Sequence, residues 1–548
     1  MAKPTRYTPE MEQEYLAKGY WSKTTYADAW DRNARQFPDR EAVVDSRTRL
    51  TWSQAKQWID RLALGLLELG FQKDDLLAVQ LPNTVELTIL RVAAEKAGIL
   101  CLPILRTFRH KEIEYMLKYT SAKGIVVLPE FRGFNYVKMM EEIRGNLLAL
   151  KHVFVVGDTA PAGTIPLSRL LENPLEKKYP AGYLDRTKTP FNEFSLVMPT
   201  SGSTGLPKFV EYPICSITCR EEWLAKNFHF TKDDVFALVS PTAGGSNGRA
   251  YFCAPLVGGK IVNLEKYETE DTLKLIEKER VTVLPAVPAM FAMMLKHPNF
   301  GKYDLSSLRL VSSMGSVLPY DIGMEVERKM GRLIQNYSSI DCSASTMGRP
   351  DDPVEKRIGT CGKTYAWSEL KLLDDDGKEV PAGGIGEVAL KGPSSASGYF
   401  KDPQATWKVW SKDGWFKMGD LGKLDAEGYL SIVGRKKEMI IRGGQNIYPV
   451  EIENILINHP KVASVAVVGM PDPVLGEKAC TYVAPKAGQT FTFEEMTAYL
   501  GEKGIAGFKL PERLEIIETM PMVGEGQKTD KKVLTQDIIN KLKAEGAI

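Results

Sequence analysis

A layered α/β body followed by a smaller α+β domain is the fold class that the sequence predicts. Three observations predict it. Strand-length apolar runs alternate with amphipathic helical patterns over most of the chain. Turn-forming residues crowd together after about residue 370. Hydrophobic residues make up 43% of the chain and aromatics 9%, enough for large buried cores and too much for a disordered or fibrous chain.

The apolar runs at 76–81, 124–128, 153–156, 281–284 and 308–311 read as strands. Segments 53–70, 85–97, 111–119, 269–280 and 320–330 between them carry a helical period, so the sheets are expected to be largely parallel. Beyond residue 370, Asp374 to Gly377, Pro381 to Gly384, Asp413-Gly414 and Glu427-Gly428 mark hairpins between short antiparallel strands. A charged stretch, 434–438, then leads to the glycine pair Gly443 and Gly444. After it, 449–458 and 493–503 read as helices, with 462–469 and 479–484 as strands. The expected domains are 1–436 and 437–548, joined at that charged stretch. At about 150 residues per domain, 548 residues correspond to three or four folding units, which large α/β enzymes merge into fewer bodies.

Lys and Arg total 71 against 69 Asp and Glu, a net charge of +2 that provides no footing for nucleic acid or an anionic membrane. The cysteines, at 101, 215, 219, 253, 342, 361 and 480, form no CxxC pair, and no His lies beside Cys215 and Cys219 to complete a zinc site. The first residues contain no apolar core of signal-peptide length, and no run approaches the ~20 apolar residues of a membrane span. A cytoplasmic monomer or homodimer with reduced thiols is expected.

Residues 195–208 are the most informative stretch. A strand-like run ends at Met198, and six of the following seven residues are small or hydroxylated. Such a loop exposes backbone N–H groups and hydroxyls to anionic oxygens, and Lys208 adds a point charge. It matches neither a Walker A spacing nor GxGxxG. Taken alone, it is equally a surface loop of ordinary turn composition.

Thr200, Ser201, Gly202, Ser203, Thr204, Gly205, Leu206, Pro207 and Lys208 resemble the signature loop of the acyl-adenylate-forming superfamily. That superfamily includes acyl-CoA synthetases, aryl-acid ligases, carrier-protein adenylation domains and luciferases. The resemblance continues in order along about residues 20–535. Gly315, Ser316 and Val317 resemble the turn that meets adenine. Asn336, Tyr337, Ser338, Ser339, Ile340 and Asp341 resemble the adenine-stacking and magnesium segment. Asp420 lies in a ribose-binding motif at 415–421, while Ile432 and Arg435 match nucleotide contacts at the start of a hinge whose pivot is Lys437. Gly443 and Gly444 resemble the wall of a tunnel for the thiol arm of coenzyme A.

The chemistry fits these residue types. A tyrosine ring at a strand end can cover a flat base. Asp420 can accept hydrogen bonds from both ribose hydroxyls, and Asp341 is a hard oxygen ligand suited to Mg2+ on phosphates. Each residue also has an ordinary structural reading: Tyr337 as packing, Asp420 as a turn former, Ile432 as core, Asp341 as an exposed acid. Near the C-terminus, Lys528 lies among Gly524, Glu525, Gly526, Gln527, Thr529 and Asp530. By itself this is a solvated charged turn before a helix. The resemblance places one essential lysine here, and the pattern Lys-x-Asp-Lys-Lys anchors it on Lys528, although the distance from Pro521 makes Gln527 the competing position. An ammonium there would bridge the negative charge that grows as a carboxylate attacks the α-phosphorus.

The resemblance implies an ATP-dependent ligase that makes an acyl-AMP, expels pyrophosphate and passes the acyl group to coenzyme A, with the smaller domain turning between the two half-reactions. ATP, Mg2+ and coenzyme A are the implied small molecules, beside a monocarboxylic acid. The acyl pocket is expected along Ala243, Gly244, Gly245, Ser246 and Asn247, with Gly315 opposite. Three glycines (Gly244, Gly245 and Gly248) with Ala243, and no aromatic or His in 242–248, leave room for an aromatic or alicyclic acid, and the stretch 15–21 also resembles ligases of such acids. Two departures stand out: Ile340 replaces an expected threonine, and Asp341 is one methylene shorter than the usual Glu. An aryl-acid ligase that loads a separate carrier protein and a noncatalytic nucleotide-binding relative are the alternatives.

Overall fold

The computed structural model describes residues 2–157, 160–200, 207–241, 249–316, 318–381, 383–443, 445–523 and 528–547, and at Arg249 and Ala250 the backbone alone. The chain divides into two compact units. The first comprises Met1–Ile358, Gly362–Glu369 and Leu390–Phe416; the second comprises Gly359–Cys361, Leu370–Ala389 and Lys417–Ile548. By packing, residues 417–436, ahead of the expected boundary at 436/437, group with the residues that follow them.

The first unit contains two large sheets. One has nine strands in the order Lys363–Thr364, Ser345–Met347, Arg332–Ser338, Leu310–Ser313, Val283–Ala286, Val235–Leu238, Lys260–Asn263, Glu41–Val44 and Arg49–Thr51. Its middle is parallel and its edges antiparallel. The other has eight strands, with Gly398–Tyr399, Phe209–Pro213 and Phe194–Pro199 at one end, followed by Leu100–Pro103, Leu76–Gln80, Gly124–Val127, His152–Val155 and Ile165–Pro166. Strands covered on both faces read as continuous apolar runs, which is why the sequence exposes them so plainly.

Helix Val85–Ala97 is buried along its whole length. It packs on strands Leu100–Pro103 and Phe194–Pro199 of one sheet and on Glu41–Val44 of the other. Thr84 accepts the Leu87 N–H at its start. Buried Glu95 accepts the Ala27 N–H at 2.7 Å and the Ser195 hydroxyl at 3.3 Å. The Arg91 guanidinium lies 4.3 Å from the ring centre of Tyr26.

The helices predicted at 53–70, 111–119, 269–280 and 320–330 form as Trp52–Glu68, His110–Thr120, Thr269–Glu279 and Tyr320–Lys329. Two strands start two residues later than their apolar runs, as Val283–Ala286 and Leu310–Ser313. Val281 spends its N–H on the Ile276 carbonyl (3.0 Å), closing the preceding helix, and Leu308 bonds back to Leu305 (3.0 Å) in a turn. Hydrophobicity alone does not separate a residue that caps a helix from one that pairs in a sheet.

The second unit includes strands Phe416–Leu424 and Leu430–Arg435, joined by the predicted turn at Glu427-Gly428 with Asp425 N–H on the Tyr429 carbonyl at 3.1 Å. Further on, Val462–Asp472 and Gly476–Pro485 form a long hairpin, with Arg513–Ile516 parallel to the latter and Ile440–Arg442 on it through Arg442. Helices Pro449–Leu456, Phe493–Glu502 and Lys531–Ala544 cover these strands through two apolar clusters spanning Ile440 to Leu542. Among the described residues, no helix is long and apolar enough to cross a membrane.

Candidate active site

The glycine-rich stretch lies in the chain between two antiparallel strands. Strands Phe194–Pro199 and Phe209–Pro213 pair antiparallel, and its stem is closed between Thr200 and Lys208. Thr200 N–H donates to the Lys208 carbonyl at 2.8 Å, and Lys208 N–H donates to the Thr200 hydroxyl at 3.1 Å. Both residues thus stand at the mouth of the loop. Ser201, Gly202, Ser203, Thr204 and Gly205 lie outside the described residues. The Lys208 ammonium is held 4.5 Å from the ring centre of Tyr399.

The adenine and metal segments belong to the nine-stranded sheet. Its parallel strands Val235–Leu238, Val283–Ala286, Leu310–Ser313 and Arg332–Ser338 end at a common edge, where open α/β sheets bind ligands. Gly315 follows one of these ends with φ +91°, a conformation that a side chain would strain. Ser316 beside it is exposed. Val317 and the expected acyl residues Ala243, Gly244, Gly245, Ser246 and Asn247 lie outside the described residues. The last of these follow strand Val235–Leu238 in the chain.

Asn336 and Tyr337 close strand Arg332–Ser338, opposite Met347 and Thr346. Asn336 Oδ1 is buried with no donor among the described residues, so an incoming ligand N–H would satisfy it. Ser338 is exposed and Ser339 half-buried. The Ile340 carbonyl accepts the Tyr212 hydroxyl at 2.7 Å, so the hydrophobic replacement does not leave this turn loose. Asp341 Oδ1 accepts the Tyr399 hydroxyl at 2.6 Å, and Oδ2 accepts the Ser339 hydroxyl at 3.3 Å. Burial and the Asp341 charge push the Tyr399 phenol well above its ordinary pKa, so it stays a donor.

A single carboxylate with the Ser339 hydroxyl beside it fits Mg2+. That ion takes one or two protein carboxylates and fills its remaining positions with phosphate oxygens and water. Among the described residues no three His, Cys, Asp or Glu side chains gather into an all-protein cage. Tyr399 and Tyr212 escape a reading of the sequence: Tyr399 is 58 residues from Asp341, and no local pattern sets it apart.

The second unit holds the other expected residues. Asp420 and Arg435 face each other across an antiparallel pair, with Arg435 Nε 2.8 Å from Asp420 Oδ1. Asp420 is buried, while Arg435 is exposed. Ile432 is half-buried opposite Gly422. Lys437 is exposed on the short helical turn Lys436–Glu438, where Lys436 is paired to Glu387 at 3.0 Å. Gly443 has φ +55° and donates its N–H to the Leu475 carbonyl at 2.8 Å; Gly444 lies outside the described residues.

Lys528 opens a short strand, Lys528–Thr529, that pairs with Met522–Val523. Its side chain is exposed, and among the described residues no carboxylate lies within ion-pair distance of it. Although the side chain reaches solvent, the protein around it displaces part of its hydration and lowers its pKa first; the Arg435 charge lowers it further, while Asp420 and Glu438 oppose the shift. Lys531, by contrast, is tied to Glu453 at 2.8 Å and Glu438 at 3.3 Å. Lys528, Arg435 and Asp420 therefore share one electrostatic neighbourhood.

Two family models match the chain, "AMP-binding enzyme" over residues 30–400 and "AMP-binding enzyme C-terminal domain" over 451–527. The medium-chain fatty-acid–CoA ligase of Escherichia coli K12 is 31% identical over 544 residues, covering 98% of this chain and 94% of the relative. The 2,3-dihydroxybenzoate-AMP ligase of Bacillus subtilis is 29% identical over 549 residues, covering 98% of each. The crystal structure of the anthranilate CoA ligase AuaEII with anthranoyl-AMP shares the fold, with a TM-score of 0.84 over 95% of this chain and 98% of that one at 24% identity. The chain belongs to the AMP-binding enzymes, the acyl-adenylate-forming superfamily, and it is an AMP-forming acid–thiol ligase.

Proposed function

We propose that the enzyme converts an aromatic or alicyclic monocarboxylic acid to its coenzyme A thioester through an acyl-AMP. The observation that carries the reading is Lys528, an uncommitted ammonium in the electrostatic neighbourhood of the paired Asp420 and Arg435. In the first half-reaction a carboxylate oxygen of the acid attacks the α-phosphorus of ATP, and the bond to pyrophosphate breaks. Lys208 and the loop from Thr200 hold phosphate oxygens. Lys528 faces the charge that grows on the attacking and transferring groups, where a fixed cation acts most strongly. Asp341 would hold Mg2+, which supplies charge neutralisation on the phosphates when bound.

In the second half-reaction the thiol sulfur attacks the acyl carbon, the bond to the AMP phosphate breaks, and AMP leaves with the thiol proton. The smaller domain, 437–548, turns about Lys437 between the two, and Gly443 and Gly444 then border the thiol arm. We place the enzyme in the cytoplasm, where ATP and coenzyme A are supplied, as a monomer or homodimer.

The acid assignment rests on the small residues at 243–247. A second reading, transfer to a carrier protein supplied in trans, draws on the similarity to the dihydroxybenzoate-AMP ligase. Acid-dependent pyrophosphate release, measured over aromatic, alicyclic and medium-chain acids with and without coenzyme A, tests both. The expected result is release with cyclic acids and turnover to thioester when coenzyme A is added. Adenylation that stalls with coenzyme A favours the carrier reading, and release confined to aliphatic acids overturns the acid assignment.

A further inference from the structure

We propose that Tyr399 is a positioning residue that sets both charged groups of the phosphate site, the Asp341 carboxylate through its hydroxyl and the Lys208 ammonium through its ring. The inference rests on the reading of Asp341 and Lys208 as the groups that hold Mg2+ and phosphate. It concerns residues from three separate stretches of the chain that meet at one side chain. The Tyr399 hydroxyl donates to Asp341 Oδ1 at 2.6 Å, and the Lys208 ammonium sits 4.5 Å from the centre of the same ring.

The ring is held from several directions. Strand register pairs Tyr399 with Val210, two residues after Lys208. Tyr399 N–H donates to the Thr406 hydroxyl at 2.8 Å, and Trp410 packs edge-on with ring centres 5.7 Å apart. Gly398, at φ +145°, lets the backbone approach closely: a Cβ there would stand 2.9 Å from Thr406 Oγ1 and 3.1 Å from Thr5 Cβ. The carboxylate segment is braced in turn by Ala396 N–H on the Cys342 carbonyl at 2.8 Å.

This bracing matters because Asp341 has one methylene fewer than Glu and cannot adjust its reach. A hydroxyl on Oδ1 and Ser339 on Oδ2 fix the carboxylate's rotation and still leave lone pairs for a cation. The face of the ring attracts the Lys208 ammonium electrostatically. One tyrosine thus keeps the anion and the cation of the site apart and aimed, where otherwise they would be free to turn towards each other.

ATP affinity measured by calorimetry in Mg2+ and in EDTA tests the proposal on wild type, Tyr399→Phe, Asp341→Asn and the double variant. Phe keeps the ring and removes only the hydroxyl. Tyr399→Phe is expected to reduce the Mg2+-dependent gain in ATP affinity about tenfold, the low end for loss of a group that orients a metal ligand, while affinity in EDTA is unchanged. Asp341→Asn is expected to lose the same gain, and the double variant to be no worse than Asp341→Asn. Equal losses in Mg2+ and EDTA, or additive losses in the double variant, overturn the role assigned to Tyr399 and leave that of Asp341 standing. A full Mg2+ gain in Asp341→Asn removes the reading of Asp341 itself, and the proposal with it.

Discussion

Lys528 and Lys531 stand three positions apart at the same end of the chain, yet their surroundings differ. Lys531 is bound by two carboxylates, and its pKa is raised; Lys528 is bound by none among the described residues, and its pKa is lowered. Only an ammonium free of internal partners can be lent to a substrate. Lys528→Ala is expected to slow adenylation by about two to three orders of magnitude, the usual cost of one charge-stabilising donor, while thioester formation from preformed acyl-AMP persists. Equal loss in both half-reactions, assayed separately, removes the assignment. Because the working form is protonated and its pKa is lowered, adenylation should decline as pH rises, and at lower pH than an ordinary lysine would require. Arg435→Gln removes a charge that lowers this pKa and should move the alkaline limb upward; Asp420→Asn should move it downward. The pH profile of single-turnover adenylation reads both shifts. At this scale the sequence identified the lysine only through its pattern, since charge alone makes Lys528, Lys531 and Lys532 equivalent.

Among elements, the edge of the nine-stranded sheet is stitched by a charge cluster that no local pattern announces. Arg49 contacts Glu41 at 2.6 Å and Glu279 at 2.8 Å, and Lys260 contacts each glutamate at 2.6 Å. The four residues come from the edge strand Arg49–Thr51, the next two strands inward, Glu41–Val44 and Lys260–Asn263, and the end of helix Thr269–Glu279. Hydrogen bonding from Arg49, followed by Lys260, outweighs burial and holds the Glu279 carboxyl down at about 2. A carboxylate with a depressed folded pKa contributes stability above its ordinary pKa and loses it as pH falls towards the folded value. Glu279→Gln should therefore cost about 2 kcal/mol at pH 7, after allowance for the half-exposed Arg49. The gap between wild type and variant in urea unfolding should narrow steadily below about pH 4.5. A gap as large well below pH 4.5 as at pH 7 contradicts the ion-pair account. Element type was legible from apolar runs and period, but the starts of Val283–Ala286 and Leu310–Ser313 were not, because a helix end used the first apolar residue of one and a turn that of the other.

For the whole molecule, the residues after 436 carry their own interior. Both apolar clusters of that region, from Ile440 to Leu542, are closed by residues within it. A fragment of residues 437–548 is expected to unfold cooperatively on heating and to keep its near-ultraviolet circular dichroism. It should melt below the same region in the full chain, since helix Pro449–Leu456 also packs on strand Leu430–Arg435, which the fragment lacks. A gradual, featureless loss of signal would contradict an independent core. Near-neutral net charge is consistent with this picture: the cations of interest, Lys208, Arg435 and Lys528, are too few to shift a total of 71 against 69.

The sequence by itself determined the α/β class, the helices and strands with long clean periods, the ordered motifs from Thr200 to Lys528, and through them the family. These are properties of neighbouring residues, and spacing along the chain records them. Only the tertiary structure decided which side chains meet. Asp420 faces Arg435 because a hairpin register aligns them, and Tyr399 reaches Asp341 and Lys208 because one strand pairs beside the glycine-rich hairpin. Sheet pairing joins positions of any separation, so contacts made through it leave no trace in local pattern.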